Sequence, residues 1–265
     1  MVVSSLPWIG GLLLALAPLP AHATLPADPL GSPMWQRLGD TLFGNDPVRF
    51  DDRVHVIFPE IAENQTSFPV TVDARGIEGV KRILLFADLN PIPLAIDYTL
   101  AGARAFLATR IKLDQRTPVR GAVQLADGSW LVGGGWIDAA GGGCSTPPTS
   151  RVRGDWADHL GEVRGVAVRG ADGTHIRVAF RHPMDTGFVA NIPTYNLDTL
   201  TLSGAGKAYG TMRIEASVAE DPTISIIAET AAGETVAVRA SDTNGIRYDG
   251  SLAVREATPA LAAVR

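Results

Sequence analysis

Residues 109–113 read Thr109-Arg110-Ile111-Lys112-Leu113, a stretch in which charged and apolar side chains alternate. Such alternation is typical of a β-strand with one face in a core, because successive side chains of a strand point to opposite faces. The pattern returns in His175-Ile176-Arg177-Val178-Ala179-Phe180 and in Met212-Arg213-Ile214-Glu215-Ala216-Ser217-Val218. Long amphipathic helical patterns are absent, so the sequence predicts an all-β chain.

Turn signals divide the chain into short strands. Asp127-Gly128 predicts one hairpin, and Asn244-Gly245 predicts another with a type I′ turn. Strands spaced every 8–12 residues with turns between them favour a β-sandwich in each half. We therefore expect two immunoglobulin-like sandwich domains, over residues 34–137 and 161–256, joined by a Gly-rich arm and linker over 138–160. A short helix over about 34–43 should open the first domain.

The first residues, 1–23, have the features of a secretory signal peptide. They carry no Lys, Arg, Asp or Glu, they contain a short apolar run at 10–17, and they end in Ala21-His22-Ala23, a small-x-small cleavage site. A membrane anchor is the alternative, but it needs about 20 apolar residues, and the prolines at positions 7, 18 and 20 leave too few. We expect export to the periplasm, a mature chain starting at Thr24, and no membrane insertion after cleavage.

Charge and cysteine content narrow the function classes. The net charge is −5 and the charges are interspersed, which does not fit a nucleic-acid or polybasic membrane surface. Disulfides persist outside the cytoplasm, yet the chain has one cysteine and therefore no internal disulfide. A lone thiol there is either buried and inert or free to pair with another molecule.

The single cysteine lies in an unusual segment, Gly141-Gly142-Gly143-Cys144-Ser145-Thr146-Pro147-Pro148. No apolar side chain lies within three residues of Cys144, and glycine gives the backbone wide freedom. We therefore expect Gly141, Gly142 and Gly143 to form a mobile arm and Cys144 to be exposed. Because the thiolate is the reactive form of cysteine, an accessible Cys144 favours a carrier that presents a group to partner proteins.

Other chemistries have weaker signals. Cys144, His182 and Met184 would be a copper-type ligand set, but a second histidine at the required spacing is missing. A cysteine hydrolase would need His182 or His159 close to Cys144 in space. Motifs for serine hydrolases, nucleotides, dinucleotides and zinc proteases are absent. We predict a non-enzymatic protein with no metal and no cofactor.

Several short motifs, in order, resemble the two subunits of the SoxYZ sulfur carrier. The first half is similar to SoxY, and the second half is similar to SoxZ. The motifs of the first half are Pro59-Glu60-Ile61-Ala62-Glu63-Asn64, Phe68-Pro69-Val70, Asn90-Pro91-Ile92-Pro93, residues 109–113 and Gly142-Gly143-Cys144. Those of the second half are His182-Pro183-Met184-Asp185-Thr186-Gly187 and Asp242-Thr243-Asn244-Gly245.

This resemblance implies immunoglobulin-like sandwiches, a periplasmic location and a sulfur-containing intermediate held covalently on Cys144. The implied partners are periplasmic sulfur-handling enzymes or a quinoprotein dehydrogenase system, beside which single-chain SoxYZ-like carriers occur. One departure stands out. SoxY ends just after its cysteine, whereas here Ser145 to Pro148 and a whole domain follow. Two rival functions remain: an accessory module of a PQQ dehydrogenase in which Cys144 is incidental, and a copper-handling protein.

Overall fold

The computed structural model describes residues 25–231 and 233–257. The predicted signal peptide, 1–23, and its cleavage site lie outside these residues. The described chain is dominated by β-strands, with one short helix, α1 (Trp35–Leu42), near its beginning. No helix in the described part of the chain has the length and apolar character needed to span a membrane.

The first half, which we define as the residues before Cys144, contributes the first eight strands. Helix α1 precedes them and packs Trp35 and Leu38 onto the sheet, as the apolar face in the sequence predicts. The strands are β1 (Val48–Phe50), β2 (His55–Ile57), β3 (Phe68–Asp73), β4 (Val80–Ala87), β5 (Leu94–Leu100), β6 (Phe106–Ile111), β7 (Thr117–Leu125) and β8 (Trp130–Ile137).

The second half follows a linker that contains a one-turn helix, α2 (Thr149–Arg153), and a 3₁₀ turn (Trp156–His159). Neither has a signal in the sequence. Its strands are β9 (Val163–Gly170), β10 (Gly173–Phe180), β11 (Leu197–Gly204), β12 (Lys207–Ile214), β13 (Thr223–Ala228), β14 (Thr235–Asp242) and β15 (Arg247–Glu256). The prediction of an all-β chain of immunoglobulin-like sandwiches with one short N-terminal helix is confirmed.

The two halves share their sheets. One run of strands is β1-β8-β7-β4-β5-β12-β11-β14-β15, and the other is β9-β10-β13-β6-β3-β2. The parallel pairing of β15 with β9, from Val254↔Ala167 to Glu256↔Arg169, joins the two runs into one continuous order. β5 pairs with β12 over five residues, from Ile96↔Ile214 to Leu100↔Gly210. β6 meets β13 at Ala108↔Ser225. The linker is therefore one of several connections between the halves, and a single apolar cluster extends between the sheets through both of them.

The hairpin at Asn244-Gly245 forms, but its predicted type I′ geometry is wrong. Gly245 has a φ of 83°, whereas Asn244 is not among the residues with positive φ, and a type I′ turn requires positive φ at both. The side chain of Asp242 builds the turn instead. Its Oδ1 accepts the N–H groups of Asn244 and Ile246, each at 2.9 Å. Such local side-chain bonds compete with standard turn geometries.

Candidate functional site: a docked cysteine loop

The loop that leads to Cys144 is bound to the segment just after β6. Three consecutive backbone N–H groups point at that segment. Gly142 donates to the Asp114 carbonyl at 3.1 Å and Gly143 to the Leu113 carbonyl at 3.0 Å. Cys144 donates to Asp114 Oδ1 at 3.2 Å. The prediction of a mobile arm is therefore wrong for this structure, because each of these donors is held by the first half.

The glycines allow this close docking. A Cβ on Gly143 would lie 2.3 Å from the Gln65 carbonyl oxygen and 2.4 Å from that of Leu113, well inside any real carbon–oxygen contact. Gly141 and Gly142 have φ values of 99° and 80°, a backbone region that glycine enters at little cost. Of the three glycines that the sequence assigns to mobility, Gly143 and Gly141 thus let one backbone approach another, and Gly142 supplies a positive φ.

Cys144 is buried, with only 1% of its surface exposed, so its predicted exposure is wrong. Its carbonyl accepts a hydrogen bond from the Thr186 hydroxyl, which belongs to the second half. The pKa of the thiol is raised to about 11, mainly by burial and also by the charge of Asp114, while the charge of Lys112 opposes both. Sequence neighbours failed as a guide because residues far along the chain, Asp114 and Thr186, bind the backbone of Cys144.

Lys112 is the second component of the site, and the alternating pattern did not reveal its role. β6 ends at Ile111, and the ammonium of the next residue, Lys112, is buried against the second half. Its Nζ donates to the carbonyls of Met184 at 2.6 Å, Ala216 at 2.8 Å and Val218 at 2.8 Å. Burial lowers the pKa of Lys112 to about 8, against the attraction of Cys144 and two carboxylates. All three ammonium donors are therefore used to hold the halves together.

The His182 motif forms a self-contained loop beside this lysine. His182 Nδ1 accepts the N–H of Met184 at 3.0 Å, and the Met184 sulfur accepts the N–H of Leu197 at 3.3 Å. His182 Nε2 lies 3.7 Å from Asp242 Oδ2, beyond hydrogen-bonding distance. Burial lowers the pKa of His182 to about 4, so the ring is neutral near pH 7.

These contacts weigh against the copper alternative. Two of its three proposed donors, His182 Nδ1 and the Met184 sulfur, already accept backbone hydrogen bonds. No group of three or more His, Cys, Asp or Glu side chains within residues 25–231 and 233–257 has the arrangement of a metal site. The cysteine-hydrolase alternative requires a histidine paired with Cys144. The ring of His159 instead pairs with Glu162 at 2.7 Å, and His182 Nδ1 accepts the Met184 N–H.

The linker after Cys144 is docked on the second half as well. Arg151, in α2, holds the buried carboxylate of Asp185 through its Nε at 3.0 Å and its Nη2 at 2.5 Å. Glu220 accepts the N–H groups of Thr149 at 2.7 Å and Ser150 at 2.6 Å. Asp185 is the neighbour of Thr186, so the contacts that fix the linker and the contact that fixes Cys144 are adjacent.

A polar cleft of about 330 Å³ opens beside the cysteine loop. Both halves line it. The first half supplies Lys112, Gly143 and Asn64, the last of these from the Pro59–Asn64 motif, and the second half supplies Arg181 and Glu220. Asn64 and Thr186 lie inside motifs that the sequence singled out, whereas Arg151 lies in a segment without any sequence signal. The site is thus a small junction cleft next to a buried thiol.

Comparison with known proteins agrees with this division. Residues 40–144 match the family model of the sulfur oxidation protein SoxY, and residues 163–253 match that of the sulphur oxidation protein SoxZ. The SoxY match ends at Cys144. No curated protein matches the chain.

Two solved structures are similar over parts of the chain. The sulfur carrier protein SoxY from Chlorobium limicola f thiosulfatophilum is 22% identical, with 40% of this chain and 94% of that chain covered and a TM-score of 0.36. The BSP domain of a biofilm-associated protein is 13% identical, with 83% of this chain and 32% of that chain covered and a TM-score of 0.26. TM-scores this low establish no shared fold, so the assignment depends on the two family models.

A two-sandwich chain with one thiol at the junction, matched by these two models, is a sulfur-oxidation carrier protein. The chain belongs to the SoxY–SoxZ family, with both components fused in a single polypeptide.

Proposed function

We propose that this chain is a periplasmic carrier that holds a sulfur-containing intermediate covalently on Cys144 and presents it to partner enzymes. The observation that carries the proposal is the position of the only cysteine. It closes the SoxY match, follows three glycines, and lies where the second half contacts the first. The chain itself performs no catalysis in this proposal.

Loading is a thiol exchange. The Cys144 thiol loses its proton to solvent, and the thiolate attacks the sulfur of a sulfur–sulfur bond in a donor. One S–S bond forms and one breaks, and the displaced donor sulfur leaves with the electron pair as a thiolate. The step needs no external oxidant. Unloading is the same exchange in reverse, with a partner's thiolate as the attacking group.

The closed loop requires that loading and unloading follow a local opening. A buried thiol with a raised pKa is a poor nucleophile. Local segments of proteins open with free energies well below that of global unfolding. The cysteine loop is held by a small number of hydrogen bonds, which fits such an opening. Mobility thus enters the proposal as a transient state rather than as the resting state of the loop.

Location and partners complete the proposal. The signal-like residues 1–23 support export, and N-terminal sequencing of exported protein should find Thr24 first. An intact Met1 in a membrane fraction would contradict export with cleavage. The proposed partners are periplasmic sulfur-handling enzymes, or a quinoprotein dehydrogenase system beside which the carrier works.

Thiol accessibility tests the proposal. Under native conditions iodoacetamide should modify Cys144 slowly but completely, at a rate faster than global unfolding in the same buffer, while Cys144→Ser takes no label. The unfolding rate is measured separately by denaturant jump. If Cys144 reacts no faster than the chain unfolds, the thiol is permanently buried in the folded protein. The carrier proposal is then replaced by the accessory role, in which Cys144 is incidental.

A further inference from the structure

The linker between the halves contains a segment, residues 149–159, that we call the strap. It consists of α2 and the 3₁₀ turn, and it begins five residues after Cys144. Arg151 joins it to the buried Asp185 of the His182 motif. The guanidinium of Arg151 also lies over the ring of Trp156, 3.6 Å from its centroid, and Trp156 meets Tyr195 edge-on at 6.1 Å.

Docking of the strap leaves polar atoms without partners. Within the described residues, the buried side-chain atoms that lack a protein hydrogen-bond partner are Ser150 Oγ, Asp155 Oδ1 and His182 Nε2. Two of these belong to the strap, and the third lines the narrow seam beneath it together with Ser150 and Trp156. Unpaired buried polar groups oppose burial. The strap is thus held by the Arg151–Asp185 ion pair, and at its first two residues by Glu220, against an unfavourable seam, a combination that favours reversible release.

Release of the strap and release of the thiol are mechanically linked. Asp185, the partner of Arg151, precedes Thr186, whose hydroxyl binds the Cys144 carbonyl. The chain from Cys144 to α2 is short and contains Pro147 and Pro148, which restrict the backbone. Movement of α2 away from the second half therefore pulls directly on the cysteine loop.

We propose that the strap is a latch that keeps the Cys144 site closed, and that the Arg151–Asp185 ion pair is its principal contact. The inference rests on the proposed carrier function, which it extends by naming what controls exposure of the thiol. In this fused chain the polypeptide continues beyond Cys144, and the segment that follows the cysteine closes the site.

The test measures the native iodoacetamide reaction in matched variants. Arg151→Gln and Asp185→Asn each remove one charge of the pair, and each should raise the labelling rate of Cys144 by about 10- to 100-fold, because a hydrogen bond to a charged group is lost. Arg153→Gln is the control: Arg153 pairs with Asp155 at 3.1 Å on the exposed side of the strap, and its loss should leave the rate within about twofold. The double variant should accelerate labelling by less than the product of the two single effects, since each single variant already removes the same ion pair.

A second measurement follows the strap itself. In Asp185→Asn, trypsin should cut after Arg151 or Arg153 faster than in the wild type under native conditions, with the rest of the chain intact. The latch is refuted if labelling accelerates only in proportion to a loss of global stability, or if Arg153→Gln accelerates it equally. If wild-type Cys144 is labelled slowly without global unfolding, and neither Arg151→Gln nor Asp185→Asn changes the labelling rate, the latch is refuted and the carrier proposal stands.

Discussion

Replacement of Gly143 by alanine tests whether the glycines serve close docking or mobility. In the docked loop the new Cβ would lie 2.3 Å from the Gln65 carbonyl oxygen and 2.4 Å from that of Leu113. Normal contacts are more than 3 Å, so two backbone segments must separate by roughly 1 Å. The Gly143 N–H bond to Leu113 at 3.0 Å and the Leu113 N–H bond to Gln65 at 2.7 Å would weaken together.

The expected cost follows from these two effects. Overpacking of a tight site costs about 1–3 kcal/mol, and each weakened hydrogen bond about 0.5–1.5 kcal/mol. We therefore expect Gly143→Ala to lower the free energy of unfolding by about 2–6 kcal/mol. For a chain of this size that corresponds to a fall in Tm of about 4–24 °C, measurable by calorimetry.

Gly142→Ala is the matched control for this prediction. Its Cβ would meet only the Ser145 hydroxyl oxygen, at 3.7 Å, so the cost reduces to the left-handed backbone, about 1–2 kcal/mol. Gly143→Ala should therefore be clearly the less stable of the two. If Gly143→Ala melts like the wild type, or no lower than Gly142→Ala, the loop is free in solution and the docked geometry is wrong.

Two further predictions concern pH. The pKa of His182 falls from 6.5 to about 4 on folding, so the unfolded chain binds more protons between these values, and stability should fall by about 3 kcal/mol as the pH drops from 6.5 to 4. His182→Asn keeps an acceptor near the Nδ1 position and should remove most of this fall when the free energy of urea unfolding is plotted against pH. An equal slope in both proteins would contradict the neutral, buried ring. The pKa of Lys112 falls from 10.5 to about 8, so wild-type stability should rise relative to Lys112→Met between pH 8 and 9. Parallel profiles of these two proteins would show that the ammonium is solvated.

Local patterns predicted the elements of the fold but not how the halves meet. Alternation at 175–180 gave β10, and the apolar face at Trp35 and Leu38 gave α1, because each pattern is decided within one element. The pairing of β5 with β12 joins residues more than a hundred positions apart, and neither strand carries a signal for its neighbour. A two-domain interpretation therefore did not foresee the shared sheets.

The candidate site shows the same limit. The composition around Cys144 located the site, since a glycine run with a lone cysteine is a local feature. The docked position of Cys144 depends on hydrogen bonds with Asp114 and Thr186, which are 30 and 42 residues away along the chain. The role of Lys112 could not be predicted from the alternation at 109–113, because β6 ends at Ile111 and the carbonyls that bind Lys112 lie in the second half.

Intact mass spectrometry of the protein purified from the periplasm of its own cells tests the central claim most directly. The account predicts a discrete mass increase of a sulfur-containing group, removed by a thiol reductant and absent from Cys144→Ser purified in the same way. Because the chain has one cysteine, the adduct can be assigned without ambiguity. A homogeneous unmodified thiol in cells that are oxidising reduced sulfur, or stoichiometric copper in place of an adduct, would contradict the carrier.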